Sequence, residues 1–182
     1  MKIKDIEDIV SEVLFTEDQL YERLDELAAQ IDAEYEGKEP PVLLGVLRGA
    51  APTVHELSKR LKTKVLFDWI AISSYQNATR PTGDFLVEKS LTLDVSGREV
   101  IVIDEIFDTG NTFAWIQDRL KDSSATKIEF FALLEKKERH LHDIKPKYIG
   151  FQVPDKFVTG FGLDYYQQYR NLMGIVILKV NA

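Results

Sequence analysis

The sequence predicts an α/β protein whose central sheet is mostly parallel and flanked by helices. Short apolar runs that are typical of buried strands recur along the chain, and helical patterns separate several of them. The 182 residues contain no internal repeat and no linker that would divide them. We therefore expect residues 1–182 to form one domain, which at this length buries a sizeable core.

A helix and a strand open the predicted order of elements. Thr16 followed by Gln19 resembles a capping box, and Gly37 is the expected end of the helix. Between them, apolar residues recur at helical spacing: Leu20, Leu24, Leu27, Ile31 and Tyr35. Residues 41–47, PVLLGVL, form the continuous apolar run of a buried parallel strand, and residues 52–61 carry the next helical pattern.

A second strand and a long polar connection follow. Residues 64–72, KVLFDWIAI, are rich in β-branched and aromatic side chains and predict a strand. From Ser73 to about Phe85 the chain is polar and contains Pro and Gly. Because a connection of this length inside a compact domain usually has a function, we expect a lid here.

The second half of the chain repeats the alternation of strand and helix. Residues 98–103 and 126–134 predict strands, and residues 112–120 between them carry a short helical pattern. Two further short apolar runs, at 148–153 and 174–178, predict the last strands. Strands that alternate with helices favour a parallel sheet with right-handed crossovers.

Composition excludes several classes of protein. Thirty acidic residues against 23 basic ones give a net charge of -7, which disfavours binding to nucleic acid. The absence of cysteine excludes disulfides and thiol catalysis and fits a reducing compartment. The N-terminal segment is broken by acids, and the longest apolar run is too short to cross a bilayer. We therefore expect a cytoplasmic protein without membrane contact.

The strongest chemical signal is the segment from Val100 to Phe113, VIVIDEIFDTGNTF. Asp104 and Glu105 follow an apolar strand, where carboxylates can accept hydrogen bonds from ribose hydroxyls or support a hydrated divalent metal. The turn at residues 109–112 then opens a helix, whose free N–H groups bind phosphate. The alternative is a plain turn and helix cap with solvated acids, but three acids beside a Gly-Thr turn favour function. A Walker lysine is missing, which argues against a P-loop enzyme.

This segment resembles the sugar-diphosphate motif of the type I phosphoribosyltransferase family. LLGVLRGAAP, ISSYQNATRPTGDF, LLEKKER and VPDKFVTGFGLDYYQQYRNL resemble segments of the hypoxanthine-guanine branch of that family, in the same order. The likeness covers residues 40–178. It implies the type I phosphoribosyltransferase fold, with a small hood built from the terminal segments and a long flexible loop.

The resemblance also implies where phosphoribosyl diphosphate binds. Asp104 and Glu105 would hold the ribose hydroxyls, directly or through Mg²⁺, and Asp108 would lie near N7 of the purine as general acid or base. The remaining contacts fall on a phosphate turn, a pyrophosphate turn, a mobile loop and one basic residue: Thr109, Gly110, Asn111 and Thr112; Leu47, Arg48 and Gly49; Ser74 and Tyr75; and Arg170.

A second set of implied residues binds the base. Lys136 would donate to the exocyclic oxygen, Phe157 would stack on the ring, and Val158 would pair with it through its backbone. Asp164 would border the base and help to hold a second Mg²⁺. Because an ammonium group offers only donors, Lys136 favours a 6-oxopurine, hypoxanthine or guanine, over adenine.

The sequence departs from the usual pattern of the family in two ways. Asp104-Glu105 reverses the common Glu-Asp order, which leaves the division of ribose and metal contacts open. Asn111 stands where a lysine is common; it keeps a donor but loses a charge, so either phosphate binds less tightly or backbone amides and the helix dipole contribute more. The histidines, His55, His140 and His142, are expected to be surface or packing residues, since no cluster completes a metal site around them.

Three other functions remain open at this point. One is an enzyme that prefers xanthine, and another is a regulator that keeps the fold to sense phosphoribosyl diphosphate. An enzyme for a pyrimidine or orotate is disfavoured by the C-terminal base segment. Tyr165, Tyr166 and Tyr169 look exposed in the sequence, and they predict a homodimer or homotetramer.

Overall fold

A computed structural model of the chain describes residues 1–74 and 85–179. Within these residues the chain forms two short 3-10 helices, Ile3–Ile6 and Lys137–Arg139, together with three α-helices and eight strands. In chain order these are β1 (Val10–Thr16), α1 (Glu17–Tyr35), β2 (Val42–Leu47), α2 (Ala51–Arg60), β3 (Leu66–Ser74), β4 (Phe85–Lys89), β5 (Glu99–Phe107), α3 (Asn111–Leu120), β6 (Lys127–Glu135), β7 (Tyr148–Gln152) and β8 (Gly174–Leu178).

Six of the strands form the central sheet, in the order β4-β3-β2-β5-β6-β7. Neighbouring strands are parallel throughout, except that β4 runs antiparallel to β3 at the edge. The prediction of an α/β protein with a mostly parallel sheet is therefore confirmed.

The helices cover both faces of this sheet. On one face, α1 and α2 pack against alternate strand residues such as Leu43, Ile101 and Phe131. On the other face, α3 packs against the residues between them, such as Val42 and Val100. Side chains of a strand alternate between the two faces, so continuous apolar strands are what a sheet covered on both sides requires. No α-helix within the described ranges is long and apolar enough to span a membrane.

The two ends of the chain form a separate antiparallel pair, β1 with β8. Its small core contains Ile6, Leu172, Val176 and Leu178. This pair, together with the segment between β7 and β8 that leads into it, is the expected hood. The sequence did not predict β1, because exposed Ser11 and Glu12 interrupt its apolar residues and most of its hydrogen-bonding partners lie more than 160 positions away in β8.

Two strand boundaries differ from the predictions. Strand β5 extends past Ile103 to Phe107 because β6 pairs with it over that length. The predicted lid between Ser73 and Phe85 is bounded by strands on both sides, since β3 runs to Ser74 and β4 begins at Phe85. Residues 75–84, including Tyr75, lie outside the described residues.

Candidate active site

The candidate site lies in the crevice where β2 and β5 separate. Their pairing ends at Gly45 and Ile103, whereas β5 continues along β6. The connection after β2 crosses one face through α2 and the connection after β5 crosses the other through α3, so the strand order reverses here. Such a switch point is where parallel α/β sheets bind ligands. Asp104 and Glu105 line it from inside β5, not from the loop after the strand as expected.

Asp104 is a buried carboxylate beside a second acid. Its side chain is 7% exposed, and its Oδ1 accepts a hydrogen bond from the Glu105 backbone N–H at 2.9 Å. Burial, and then the negative charge of Glu105, raise the pKa of Asp104 well above its usual range. Neighbouring carboxylates that repel each other fit a hard divalent cation such as Mg²⁺, which is bound by one or two carboxylates together with substrate phosphates. Across residues 1–74 and 85–179, no three acidic or histidine side chains are grouped to hold a metal without a substrate.

Glycines bring two loops against Glu105. The Leu47-Arg48 peptide is cis, and the turn that it forms carries Gly49 onto the carboxylate of Glu105, where a Cβ on residue 49 would overlap that carboxylate. A Cβ on residue 162 would likewise overlap the carbonyl oxygen of Gly49, and Gly162 has a φ of 104°. Strand β5, the turn after β2 and the hood segment therefore meet at one point, which only residues without a side chain allow.

Arg170 and Asp164 extend this point from the hood. Arg170 Nη1 donates to the Gly162 carbonyl at 2.7 Å, and its Nη2 lies 2.6 Å from Asp164 Oδ1. Asp164 also accepts a hydrogen bond from the Gln167 backbone N–H at 2.8 Å. The residues predicted for pyrophosphate and for a second Mg²⁺ are thus paired with each other.

The predicted phosphate turn forms the start of α3. Gly110 precedes the helix with φ of 86°, a conformation that glycine adopts without strain, and its carbonyl accepts the Ala114 N–H at 2.9 Å. The turn and the end of β5, residues 104–113, line a cavity of about 190 Å³. The first N–H groups of α3 have no partner within the helix, which makes this cavity suitable for a phosphate.

A histidine that the sequence analysis assigned to the surface contacts this turn. His142 is exposed, but its Nε2 lies 2.7 Å from Asn111 Oδ1. The Leu141 N–H donates to the Thr109 carbonyl at 2.9 Å, which ties the segment to the turn. The expectation holds for His140, which packs on Phe107 at 4.3 Å between ring centroids, and for His55, whose side chain is 71% exposed.

Asp108 is part of a chain of ion pairs that includes Lys136, which is predicted to bind the base. Arg139 Nε is 2.9 Å from Asp108 Oδ1, and its Nη1 is 3.2 Å from Asp155 Oδ1. The same Asp155 oxygen is 3.5 Å from Lys136 Nζ. Arg139 and Asp155 were not predicted as site residues, because charged residues in a polar stretch are usually solvated.

Three residues predicted to bind the base differ in exposure. The Lys136 backbone N–H donates to the Phe107 carbonyl at 2.9 Å, and its side chain is only 9% exposed. Phe157 is 53% exposed, and Tyr165 supports its ring edge-on at 5.6 Å between centroids. Val158 is buried in the core below. An exposed aromatic face and a buried ammonium group are the two kinds of group that can bind a flat polar ring.

A larger concavity of about 620 Å³ lies elsewhere, between the end of α1 and the loop after α2. Pro40 and Lys64 line it, just before β2 and β3 begin, so it is at the opposite edge of the sheet. Asp32 in this concavity accepts hydrogen bonds from the N–H groups of Lys62 and Thr63. These contacts fix a loop, and the chemistry belongs to the crevice between β2 and β5.

Known proteins resemble this chain along most of its length. The phosphoribosyl transferase domain family matches residues 14–166. The bifunctional protein TilS/HprT of Listeria monocytogenes is 41% identical over 170 residues, which are 93% of this chain but 26% of that protein. The hypoxanthine-guanine phosphoribosyltransferase of Streptococcus agalactiae is 37% identical over 96% of both chains. A hypoxanthine phosphoribosyltransferase from Staphylococcus aureus superposes with a TM-score of 0.91 at 36% identity, covering 96% of this chain and 95% of the other.

Proposed function

Because the chain belongs to the phosphoribosyl transferase domain family, we propose that it is a purine salvage enzyme. It joins hypoxanthine or guanine to phosphoribosyl diphosphate, which gives IMP or GMP and pyrophosphate. The relatives with these activities in their names support this proposal. The observation that carries it is the hydrogen bond from Lys136 N–H to the Phe107 carbonyl, which brings a donor for a purine oxygen next to Asp108 at the end of the phosphate-binding strand.

The sugar end of the substrate binds in the crevice. The turn from Thr109 to Thr112 receives the 5-phosphate on the first N–H groups of α3. Asp104 and Glu105 accept hydrogen bonds from the ribose hydroxyls, and the turn of Leu47, Arg48 and Gly49 meets the pyrophosphate. Arg170 exchanges its partner Asp164 for pyrophosphate oxygens when the substrate enters.

In the reaction, a ring nitrogen of the purine attacks the anomeric carbon, and the bond to pyrophosphate breaks with inversion. Positive charge develops on the sugar ring, and the carboxylates of Asp104 and Glu105 stabilise it. The carboxylate of Asp108 takes the proton that the purine loses at N7. Arg139 holds Asp108 in place through the ion pair at 2.9 Å.

Mg²⁺ is the proposed cofactor. When bound, it neutralises the diphosphate and the pyrophosphate that leaves. Asp104 and Glu105 would hold it together with substrate oxygens, and Asp164 would help to hold a second ion. The buried carboxylate of Asp104, with the partly exposed carboxylate of Glu105 next to it, supports this assignment.

Substrate choice follows from Lys136. Its buried ammonium group donates to a 6-oxo group, whereas the 6-amino group of adenine would place two donors face to face. Phe157 stacks on the base, Val158 pairs with it, and Asp164 borders it. Ser74, the last residue of β3, and Tyr75, the next residue in the sequence, are proposed to contact the sugar.

The test is a direct assay with purified protein, phosphoribosyl diphosphate and Mg²⁺. Hypoxanthine, guanine, xanthine and adenine are supplied separately, and the nucleotide formed is measured by chromatography. We expect product with hypoxanthine or guanine. Product with xanthine above all others would replace the substrate assignment, and no product with any base would contradict the enzyme itself.

The assembly and location of the enzyme are part of the same proposal. We propose a homodimer or homotetramer formed by one domain per chain, acting in the cytoplasm. Tyr166 is 80% exposed and is available for such an interface, whereas Tyr165 and Tyr169 pack on the core of the hood. Sedimentation equilibrium measures the assembly, and a monomer at micromolar concentration would contradict it.

A further inference from the structure

Asn111 and His142 form a contact that the implied roles of the family residues do not include. Asn111 occupies the position in the phosphate turn where the sequence lacks the usual lysine, and His142 Nε2 is 2.7 Å from its Oδ1. We propose that His142 is a positioning residue of the 5-phosphate site, which orients the Asn111 amide toward the phosphate. This inference rests on the proposed function.

The direction of the hydrogen bond carries the argument. A carboxamide oxygen only accepts, so the imidazole Nε2 donates to Asn111 Oδ1. The two N–H bonds of the Asn111 amide are then directed away from His142. Asn111 is the first residue of α3, beside Gly110, and it lines the cavity of about 190 Å³ at the end of β5. The oriented amide thus adds a donor where backbone N–H groups already favour an anion.

Backbone contacts hold His142 in place for this role. The Leu141 N–H donates to the Thr109 carbonyl at 2.9 Å, so the residue before His142 is attached to the same turn. A Cβ on Gly110 would lie 3.5 Å from His142 Cδ2, which puts the imidazole directly beside the start of the helix. The backbone hydrogen bond and the close approach to Gly110 therefore hold His142 beside the turn, independently of its contact with Asn111.

Neighbouring charges leave this pair undisturbed. His142 borders a concavity of about 490 Å³ that also contains Glu135, His140, Asp143 and Lys145. Asp143 lies 3.7 Å from Lys145, and Glu135 faces His140 at 3.8 Å. Each carboxylate has its own partner, and His142 donates to Asn111.

The alternative is that His142 only stabilises the fold. A structural role would lower the unfolding temperature and affect all kinetic parameters alike. A positioning role changes the affinity for the 5-phosphate and leaves the affinity for the base unchanged. Gln at position 142 also offers a donor, and Lys at position 111 would supply a donor and a charge without help from His142.

The experiment measures binding of ribose 5-phosphate by calorimetry, together with KM for phosphoribosyl diphosphate, KM for hypoxanthine and kcat. Variants are His142→Ala, His142→Gln, Asn111→Lys and the double variant Asn111→Lys/His142→Ala, with His55→Ala as a matched control on an exposed histidine of α2. Circular dichroism verifies folding of each.

For His142→Ala we expect about tenfold weaker ribose 5-phosphate binding, because Asn111 loses its orientation and with it a hydrogen bond to an ionic ligand, and a similar rise in KM for phosphoribosyl diphosphate. KM for hypoxanthine and kcat stay near wild type. His142→Gln restores most of the affinity, and the double variant binds as Asn111→Lys does. Unchanged binding in His142→Ala, or an equal loss in the Asn111→Lys background, would overturn the inference.

The binding measurement separates this inference from the proposed function. If ribose 5-phosphate binding depends on His142 but the wild-type protein forms no nucleotide, the proposed enzymatic function is contradicted and the positioning role of His142 remains. A wild-type protein that forms nucleotide while His142→Ala binds normally removes only the role of His142. Absence of ribose 5-phosphate binding to the wild type overturns the inference.

Discussion

Asp108 lies at one end of a chain of ion pairs in the candidate site. Arg139 pairs with it at 2.9 Å, and the same arginine shares Asp155 with Lys136, the proposed donor to the base. If Lys136 takes the oxygen of a purine as its acceptor, Asp155 still has Arg139 as a partner. In the proposed reaction the arginine therefore keeps both carboxylates in position while the base binds.

Asp108→Asn is predicted to remove the acid-base step. The amide keeps the shape of the carboxylate but cannot take a proton, so kcat should fall about a hundredfold or more, as for the loss of general acid-base catalysis. KM for phosphoribosyl diphosphate should change little. Steady-state kinetics at saturating base give the comparison, with Asp155→Asn as a control that also pairs with Arg139. Equal losses in the two variants would remove Asp108 from this role.

Gly49→Ala is predicted to act through Glu105. A Cβ at residue 49 overlaps the Glu105 carboxylate, which must then swing out of the crevice. We expect KM for phosphoribosyl diphosphate to rise about tenfold, the effect of one displaced charged contact, with a small change in unfolding temperature.

Gly37→Ala is the control for this variant, since its φ is 72° and no atom lies within 4 Å of its Cβ position. There the strained backbone should lower stability by about 1 kcal/mol and leave KM unchanged. A KM effect of the same size in both variants would show that position 49 acts through general stability.

At this scale, the sequence predicted residues with a strong local pattern. Asp108 and the turn at 109–112 follow an apolar strand, so the pattern that predicts their roles lies within one short segment. Arg139, Asp155 and His142 lie in polar stretches, and their contacts depend on how β5 and β6 align and on where the loop after β6 returns. The pairing of strands in the sheet cannot be predicted from the sequence of one segment.

Among the elements, β3 is attached to the loop that follows β4 by one buried acid. Asp68 is 4% exposed and accepts the N–H groups of Trp69, Thr92 and Leu93 at 2.7, 2.6 and 2.7 Å. Lys89 Nζ, from β4, is 3.2 Å away. Burial alone would raise the pKa of Asp68, but these N–H donors and Lys89 lower it well below its usual range.

Asp68→Ala is therefore predicted to destabilise the protein by about 3 kcal/mol, because buried donors lose their acceptor. The wild-type contribution is complete above the unfolded-state pKa of about 3.9 and is lost as pH falls through the lower folded-state pKa. Urea unfolding at pH 7 and at pH 3 measures both effects. Asp94→Ala, on an exposed acid of the same loop, is the control, and a similar loss there would contradict the anchoring role.

The elements that the sequence missed are those stabilised from a distance. Helix α1 was predicted to within a few residues because its cap and apolar spacing are local, and Thr16 and Gln19 form the expected capping box. Strand β1 depends on β8, and the short edge strand β4, which alternates between partly buried and exposed residues, depends on β3. Neither has an apolar run longer than three residues.

Across the whole molecule, two groups of paired charges lie at opposite ends of the strands of the central sheet. At the carboxyl ends of the strands lie the candidate site and its paired charges. At the amino ends, Glu34 of α1 accepts hydrogen bonds from Tyr148 and Lys127 and pairs with Lys147, and Tyr35 donates to Glu99 at 2.8 Å. Contacts of α1 with β5, β6 and β7 thus stabilise the amino ends of the strands, away from the candidate site.

The stability of the molecule in acid should depend on Glu34. Burial alone would raise its pKa, but Lys147, Tyr148 and Lys127 lower it to about 2. Because the folded-state pKa lies below the unfolded-state one, near 4.3, this stabilisation is complete above that value and declines as pH falls towards 2. Glu34→Gln should lower the free energy of unfolding by about 2 kcal/mol at pH 7 and by less at pH 3.

Calorimetric melting at the two pH values measures the difference, and nucleotide formation at pH 7 and 25 °C should be unchanged, since Glu34 lies at the far edge. Glu36→Gln, on an exposed acid near the same end of α1, is the matched control. A pH-independent loss of stability would mean that the charge of Glu34 contributes nothing.

The contact between Gly49 and Gly162 limits how this protein can be recombined. The hood and the sheet look like interchangeable modules, because the hood has a small core besides the two cores on the faces of the sheet. They share packing as well, since Ile175 of β8 belongs to the core on one face of the sheet and Phe15 of β1 stacks on Phe151 of β7. At the candidate site, however, they meet through the backbones of Gly49 and Gly162, and Glu105 lies directly behind Gly49. A chimera that takes its hood from a relative must bring a glycine at 162 in the same register, and a shift of one residue at this seam would close the crevice. The junction, and not either module, therefore decides which grafts can function.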